Sequence, residues 1–238
     1  MEAVVVLVTL ACYGLAGFLT WRYQTPLFLF ILLSGHIGAL GSPLWSYLYN
    51  VFYQPDLAVM TTLLDVPLFR MVFIASAWFY TLLPMVVFAL YRAHWWFPNY
   101  LSVMLTYAVF LFYHLIIETL GLRLNLWYYA TNVELPFGFS HALLSAVMAA
   151  LVSLALLHVL LIVCRFSWSS MLLVLLPTTL VLSLLVHGVL GAPLWMAQLL
   201  TAQSWATLIG LVSTLALLLW AGHIVTRGLE QVHQRQTL

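Results

Sequence analysis

The chain has 238 residues, of which 65% are hydrophobic and only 5% charged, against about 25% charged in soluble domains; this is the composition of an integral membrane protein. All seven basic residues are arginine, which excludes chemistry built on a lysine Schiff base, a retinal photoreceptor included, and so sparse a charge excludes nucleic-acid binding. The two cysteines, Cys12 and Cys164, fall in separate apolar runs and support neither a disulfide framework nor a thiolate metal site.

A bilayer core takes about 20 apolar residues per helix, and seven such runs follow one another, over 3–20, 26–50, 70–91, 100–119, 140–164, 169–190 and 205–226. The first opens MEAVVVLVTLAC without the basic segment of a secretory signal and is read as a transmembrane helix. The second carries SGHIGALGSP: Ser34, Gly38 and Ser42 form one small-residue row and Gly35 with Ala39 another, which lets a neighbouring helix approach closely, and Pro43 predicts a kink. After it, Asp56 behind Gln54-Pro55 predicts the cap of a short amphipathic helix through LAVMTTLL on the outer surface. Asp65, ahead of Pro67, is the expected cap of the third span, and Asn99 that of the fourth. Pro84 and Pro177 are expected to break the third and sixth helices, with side chains such as Thr178 and Ser183 satisfying freed carbonyls. Gly191 with Pro193 closes the sixth.

Arginine placement orients the bundle, because short cytoplasmic loops carry the positive excess. Arg22, Arg92, Arg165, Arg227 and Arg235 lie on one side, Arg70 and Arg123 on the other. The expected architecture is therefore a single all-α polytopic domain over 1–238, a seven-transmembrane-helix bundle with its N-terminus outside and its C-terminus cytoplasmic, in a bacterial or archaeal plasma membrane.

The rise of about 1.5 Å per helical residue sets depth. Glu118 falls near the outer end of the fourth helix with His114 one turn deeper on the same face; His187, at the outer end of the sixth, and His141, at the outer start of the fifth, share that depth. Asp56, Asp65 and Glu134 fall in outer loops, while His36, His158 and His223 lie deeper or toward the inside. Each group also has a plain structural use: a headgroup-level carboxylate for Glu118, an interhelical hydrogen bond for His114 or His187. Their common depth favours a shared pocket.

A carboxylic acid held among apolar groups keeps its proton, because desolvation disfavours the anion. It can then protonate an apolar substrate such as an isoprenoid double bond, and aromatic faces stabilise the resulting cation. Trp127, Tyr128 and Tyr129 follow Glu118 directly, and Trp45 and Trp195 lie at similar depth. The stretch ETLGLRLNLWYYATNVELPFG, a helix-end carboxylate, a glycine, an aromatic cluster and a Pro-Gly turn before the next helix, resembles the loop pattern of membrane-integral carotenoid hydratases and related carotenoid and terpenoid cyclases. The resemblance covers about a tenth of the chain, and no second acidic copy of the motif occurs elsewhere in it. It implies protonation of a polyene end by Glu118, with Trp127 and Tyr129 as pocket aromatics. Glu118 and His114 are thus the expected catalytic pair, with Trp127, Tyr128, Tyr129, Trp45, Trp195, His141 and His187 around the substrate. The alternatives are a non-catalytic subunit contacting pigment, quinone or lipid beside membrane-protein partners, and, third, a transporter or channel. No cofactor is required by the sequence; His114, Glu118, His141 and His187 are acceptable metal ligands in type, and His114 with His187 is the one pair that suits bis-histidine haem.

Overall fold

The computed structural model describes residues 2–63, 65–130, 135–200 and 204–237; Glu134 lies outside the described residues. Among the described residues seven helical spans are long and apolar enough to cross a membrane. The first is α1 (Glu2–Tyr23); the second joins α2 (Leu27–Gly38) to α3 (Ser42–Leu48); the third joins α4 (Arg70–Phe79) to α5 (Leu82–Arg92). The fourth is α6 (Tyr100–Arg123), the fifth α7 (His141–Val163), and the sixth runs from α8 (Trp168–Ser183) into a π-helical stretch at Leu184–Leu190. A short α9 (Ala192–Leu200) precedes the seventh span in α10 (Ser204–Thr237). Strands β1 (Val51–Tyr53), β2 (Val59–Leu63) and β3 (Val66–Phe69) lie between α3 and α4, and β4 (Trp127–Tyr129) between α6 and α7. Seven crossings put the start of α1, all four strands and α9 on one side of the bundle, here the N-terminal face.

The prolines shape this frame through the hydrogen bonds they cannot make. Pro43 has no N–H to offer the carbonyl of Ala39, which takes the Ser42 N–H instead, so the helix tightens into a 3-10 turn at Ala39–Gly41. Pro84 likewise cannot serve the carbonyl of Tyr80; the third span breaks at Tyr80 and Thr81, and Ser153 of α7 donates to that carbonyl at 2.9 Å. Pro177 does not break α8, contrary to expectation. Thr178 donates to the Val174 carbonyl one turn back at 2.5 Å, and Thr179 is fastened to α2, so tertiary contacts carry the helix through the proline. The departure from α-geometry comes later, at Leu184–Leu190, and Gly191 ends it.

Two further expectations are corrected on the N-terminal face. Within LAVMTTLL, Val59–Leu63 forms strand β2 rather than an amphipathic helix: β-branched Val59, Thr61 and Thr62 pair antiparallel with β3. Asp65 is the turn of that hairpin, at φ 62°, and not a helix cap. The third span starts instead at Arg70, whose N–H reaches the Ala58 carbonyl at 2.8 Å. Asn99 does cap α6, in a reciprocal box with Ser102.

Helix α7 is the hub: 72% of its most apolar stretch is buried, against 17% for α6. The two small-residue rows of α2 serve two neighbours. Ser34 hydrogen-bonds Thr179 of α8 at 2.6 Å and a Cβ on Gly38 would stand 2.7 Å from the Thr179 methyl, whereas a Cβ on Gly35 would overlap the Ser76 carbonyl of α4. Although α6 mostly faces outward, it buries one stripe, Val103, Thr106, Phe110, His114, Glu118 and Gly121, at the three-to-four-residue spacing of a single helix face. That stripe carries both expected catalytic residues into the bundle.

Candidate functional site

Glu118 is only 5% exposed and lines a cavity of about 360 Å³ beneath the N-terminal face. Two elements, β4 and α7, supply its three hydrogen bonds. Strand β4 pairs with β1 in the register Val51↔Tyr129, Phe52↔Tyr128, Tyr53↔Trp127. Alternation along a strand turns residues 127 and 129 to one side and 128 to the other. Trp127 Nε1 and the Tyr129 hydroxyl accordingly donate to Glu118 Oε2 at 3.1 and 3.0 Å. The Ser145 hydroxyl of α7 meets Oε1. Gly121, one turn along α6, lets the indole in: a Cβ there would overlap the Trp127 ring. Neither ion pair among the described residues, Arg70 with Glu2 or Arg227 with Glu230, reaches Glu118.

This arrangement fixes where a proton sits. An indole N–H can only donate, so Oε2, which takes both Trp127 and Tyr129, is the acceptor oxygen. Ser145 donates to Oε1 of the ionised group; in the protonated acid the proton belongs on Oε1, facing the Ser145 hydroxyl, which can accept as well as donate. Burial, and next Glu118 once it is ionised, push the Tyr53 phenol up to about 12 and raise Tyr129 well above the ordinary value. Both stay protonated donors at neutral pH.

The other expected residues divide. His141 lines the cavity and stacks on Tyr129 with ring centroids 5.3 Å apart. His187 and Trp45 line it too, stacked at 5.1 Å. Tyr128 is 56% exposed and stacks on Phe52, on the far side of the strand pair. Trp195 donates to the Gly188 carbonyl at 3.0 Å and braces the π-helical stretch. His114 is fully buried behind the wall, with the rings of Phe79 and Tyr80 at 4.8 and 5.9 Å. Its Nε2 meets Ser153 Oγ at 2.9 Å; because that hydroxyl already donates to Tyr80, the imidazole must be the donor, leaving Nδ1 without a partner. His114 therefore holds the helix break rather than the carboxyl of Glu118.

Among the described residues no three His, Cys, Asp or Glu side chains gather as a metal site, so His114, Glu118, His141 and His187 do not converge on one ion. Tyr80 packs against both His114 and His187, at 5.9 and 6.4 Å, where a bis-histidine haem would need room.

Several site residues escape a reading of the sequence: Tyr53, brought in by strand pairing, Gly121, Ser145 and Ser153. One signal was present, since His141, Ser145, Ala149 and Ser153 recur every four residues along an otherwise apolar helix, the mark of a small polar stripe turned to a neighbour. Three residues that line the cavity are at the same time exposed on the bundle surface: Val4 of α1, Leu120 of α6 and Leu124 just beyond the end of α6. No protein-family model, curated protein or solved structure matches the chain.

Proposed function

We propose that the protein is a membrane-embedded enzyme that acts on an isoprenoid or other lipid, with Glu118 as general acid. One observation carries this: the buried Glu118 carboxyl, which no ion pair among the described residues reaches, stands in the wall of a cavity that is also lined by residues exposed on the bundle surface, Val4, Leu120 and Leu124. An apolar substrate then reaches the acid sideways from the bilayer. The proton on Oε1 is delivered to a double bond, and Trp127, Tyr129 and Trp45 offer ring faces to the cation. The resemblance to carotenoid hydratases and terpenoid cyclases supports polyene ends as the substrate class. The arginine bias supports an N-terminal face on the outside, and on that reading the cavity lies toward the outer leaflet of a bacterial or archaeal membrane.

A second reading, a non-catalytic subunit that holds pigment, quinone or lipid, draws on the full hydrogen bonding of Glu118, which also suits a fixed anchor. Glu118→Gln separates them. In proteoliposomes supplied with lycopene or squalene, the variant should fold yet yield no hydrated or cyclised product. Full turnover by the variant, or none by the wild type with stoichiometric partner subunits after mild extraction, favours the second reading.

A further inference from the structure

The cavity lined by the acid is also lined by a group built as a base. His187 sits in the π-helical stretch Leu184–Leu190, a rare geometry that recurs at functional sites because it re-aims side chains. Its Nδ1 faces the Ser183 carbonyl at 3.3 Å. A carbonyl can only accept, so Nδ1 carries the proton and Nε2 of the neutral ring presents a lone pair. Among the described residues Nε2 has no hydrogen-bond partner, and the residue lines the cavity. The ring is held on three sides: Trp45 stacks on it at 5.1 Å, Tyr49 meets it edge-on at 6.4 Å, and Tyr80 does so at 6.4 Å. The Tyr49 hydroxyl also donates to the His187 carbonyl at 2.7 Å, in space that a side chain on Gly191 would fill.

We infer that His187 Nε2 is the second catalytic group of the site and holds the water that quenches the cation, which makes the overall reaction a hydration. The inference rests on Glu118 acting as the acid. Glu118 Oε1 gives its proton to the less substituted alkene carbon, forming the new C–H bond and a tertiary cation. Water oxygen forms the C–O bond while one of its protons passes to Nε2. The imidazolium then returns a proton to the Glu118 carboxylate through water in the cavity, and both groups are restored with water as the only co-reactant.

The test uses the full chain in nanodiscs with lycopene, run in D2O, with hydrated product and deuterium incorporated into recovered lycopene measured separately. His187→Asn keeps an amide N–H near Nδ1 for Ser183 but has nothing at Nε2; hydration should fall by about 100-fold or more while deuterium exchange, which needs only Glu118, persists. His187→Gln places an amide oxygen near Nε2 that can hold water but not take its proton, and should recover part of the loss. Monodisperse elution and an unchanged unfolding midpoint confirm the fold of both. Unchanged hydration in His187→Asn, or equal loss of hydration and exchange, overturns the role of His187 and leaves Glu118 standing. Retained exchange in Glu118→Gln, or neither hydration nor exchange by the wild type, overturns the acid itself and the base with it.

Discussion

Ser153→Ala tests how the broken third span is held. The Ser153 hydroxyl receives His114 Nε2 and donates to the Tyr80 carbonyl, both at 2.9 Å, and His114 is 0% exposed. The substitution removes one hydroxyl but orphans two buried groups. An interhelical hydrogen bond in a membrane protein contributes about 0.6 kcal/mol on average, because the separated helices find other partners. Here the orphans stay inside the folded bundle, so the desolvation penalty applies instead, about 1–3 kcal/mol for each. A loss of about 2–6 kcal/mol is expected, a large share of any protein's net stability. The origin of half of it can be isolated. Tyr80 keeps near-helical angles, φ −91° and ψ −19°, so an N–H at position 84 could reach its carbonyl. In a Pro84→Ala background Ser153→Ala should therefore cost less, by about 1–3 kcal/mol. Reversible SDS unfolding in mixed micelles, followed by near-UV circular dichroism, measures all four corners of the cycle. A single-mutant loss below about 1 kcal/mol, or equal losses in both backgrounds, refutes the assignment of the orphaned carbonyl to the proline.

Gly121→Ala should force the Trp127 indole off α6 and away from Glu118, costing about 1–3 kcal/mol by overpacking and lowering turnover; in a Trp127→Leu background the stability cost should largely vanish, and an undiminished cost there would place the clash elsewhere. For pH, the unfolded chain loses the Tyr53 phenol proton near its ordinary value of 10 and the folded one near 12. Unfolding in that window releases protons, so this group contributes no change below about pH 10 and lowers stability as pH rises from 10 to 12. Unfolding midpoints between pH 9 and 11 should fall less steeply for Tyr53→Phe than for the wild type, and identical slopes would show that the phenol is not buried.

The seven spans were legible because the bilayer imposes one simple requirement on each of them, enough apolar length, and a run of residues displays it directly. The interruptions at Pro43 and Pro84 could be located to within a turn, since a proline announces which carbonyl it abandons, whereas Pro177 leaves α8 unbroken and the π-helical stretch beyond it was not foreseen. What a proline does not announce is the replacement donor. Tyr80 and Pro84 are four residues apart, but Ser153 comes from another helix, and nothing near Pro84 points to it. The hairpin at Val59–Phe69 was missed for a related reason: eight residues of mixed polarity fit a surface helix and a strand alike, and only the partner strand decides between them.

The site shows the same division more sharply. His114 and Glu118 share a face by helical spacing alone, yet spacing does not say that the face turns inward or that the two residues take different partners. Both facts come from α7, whose serines at 145 and 153 stand two turns apart and meet Glu118 and His114 separately. The aromatic triplet is harder still. Trp127, Tyr128 and Tyr129 look equivalent along the chain, and a three-residue strand is too short to declare its alternation. Pairing with β1, more than seventy residues earlier, is what sends two rings to the carboxyl and the third outward. Glu118 thus owes its position to a helix that the sequence displays, and its chemistry to a strand that it does not. The two depend on each other, because only Gly121 on that helix leaves room for the indole that fixes which oxygen carries the proton.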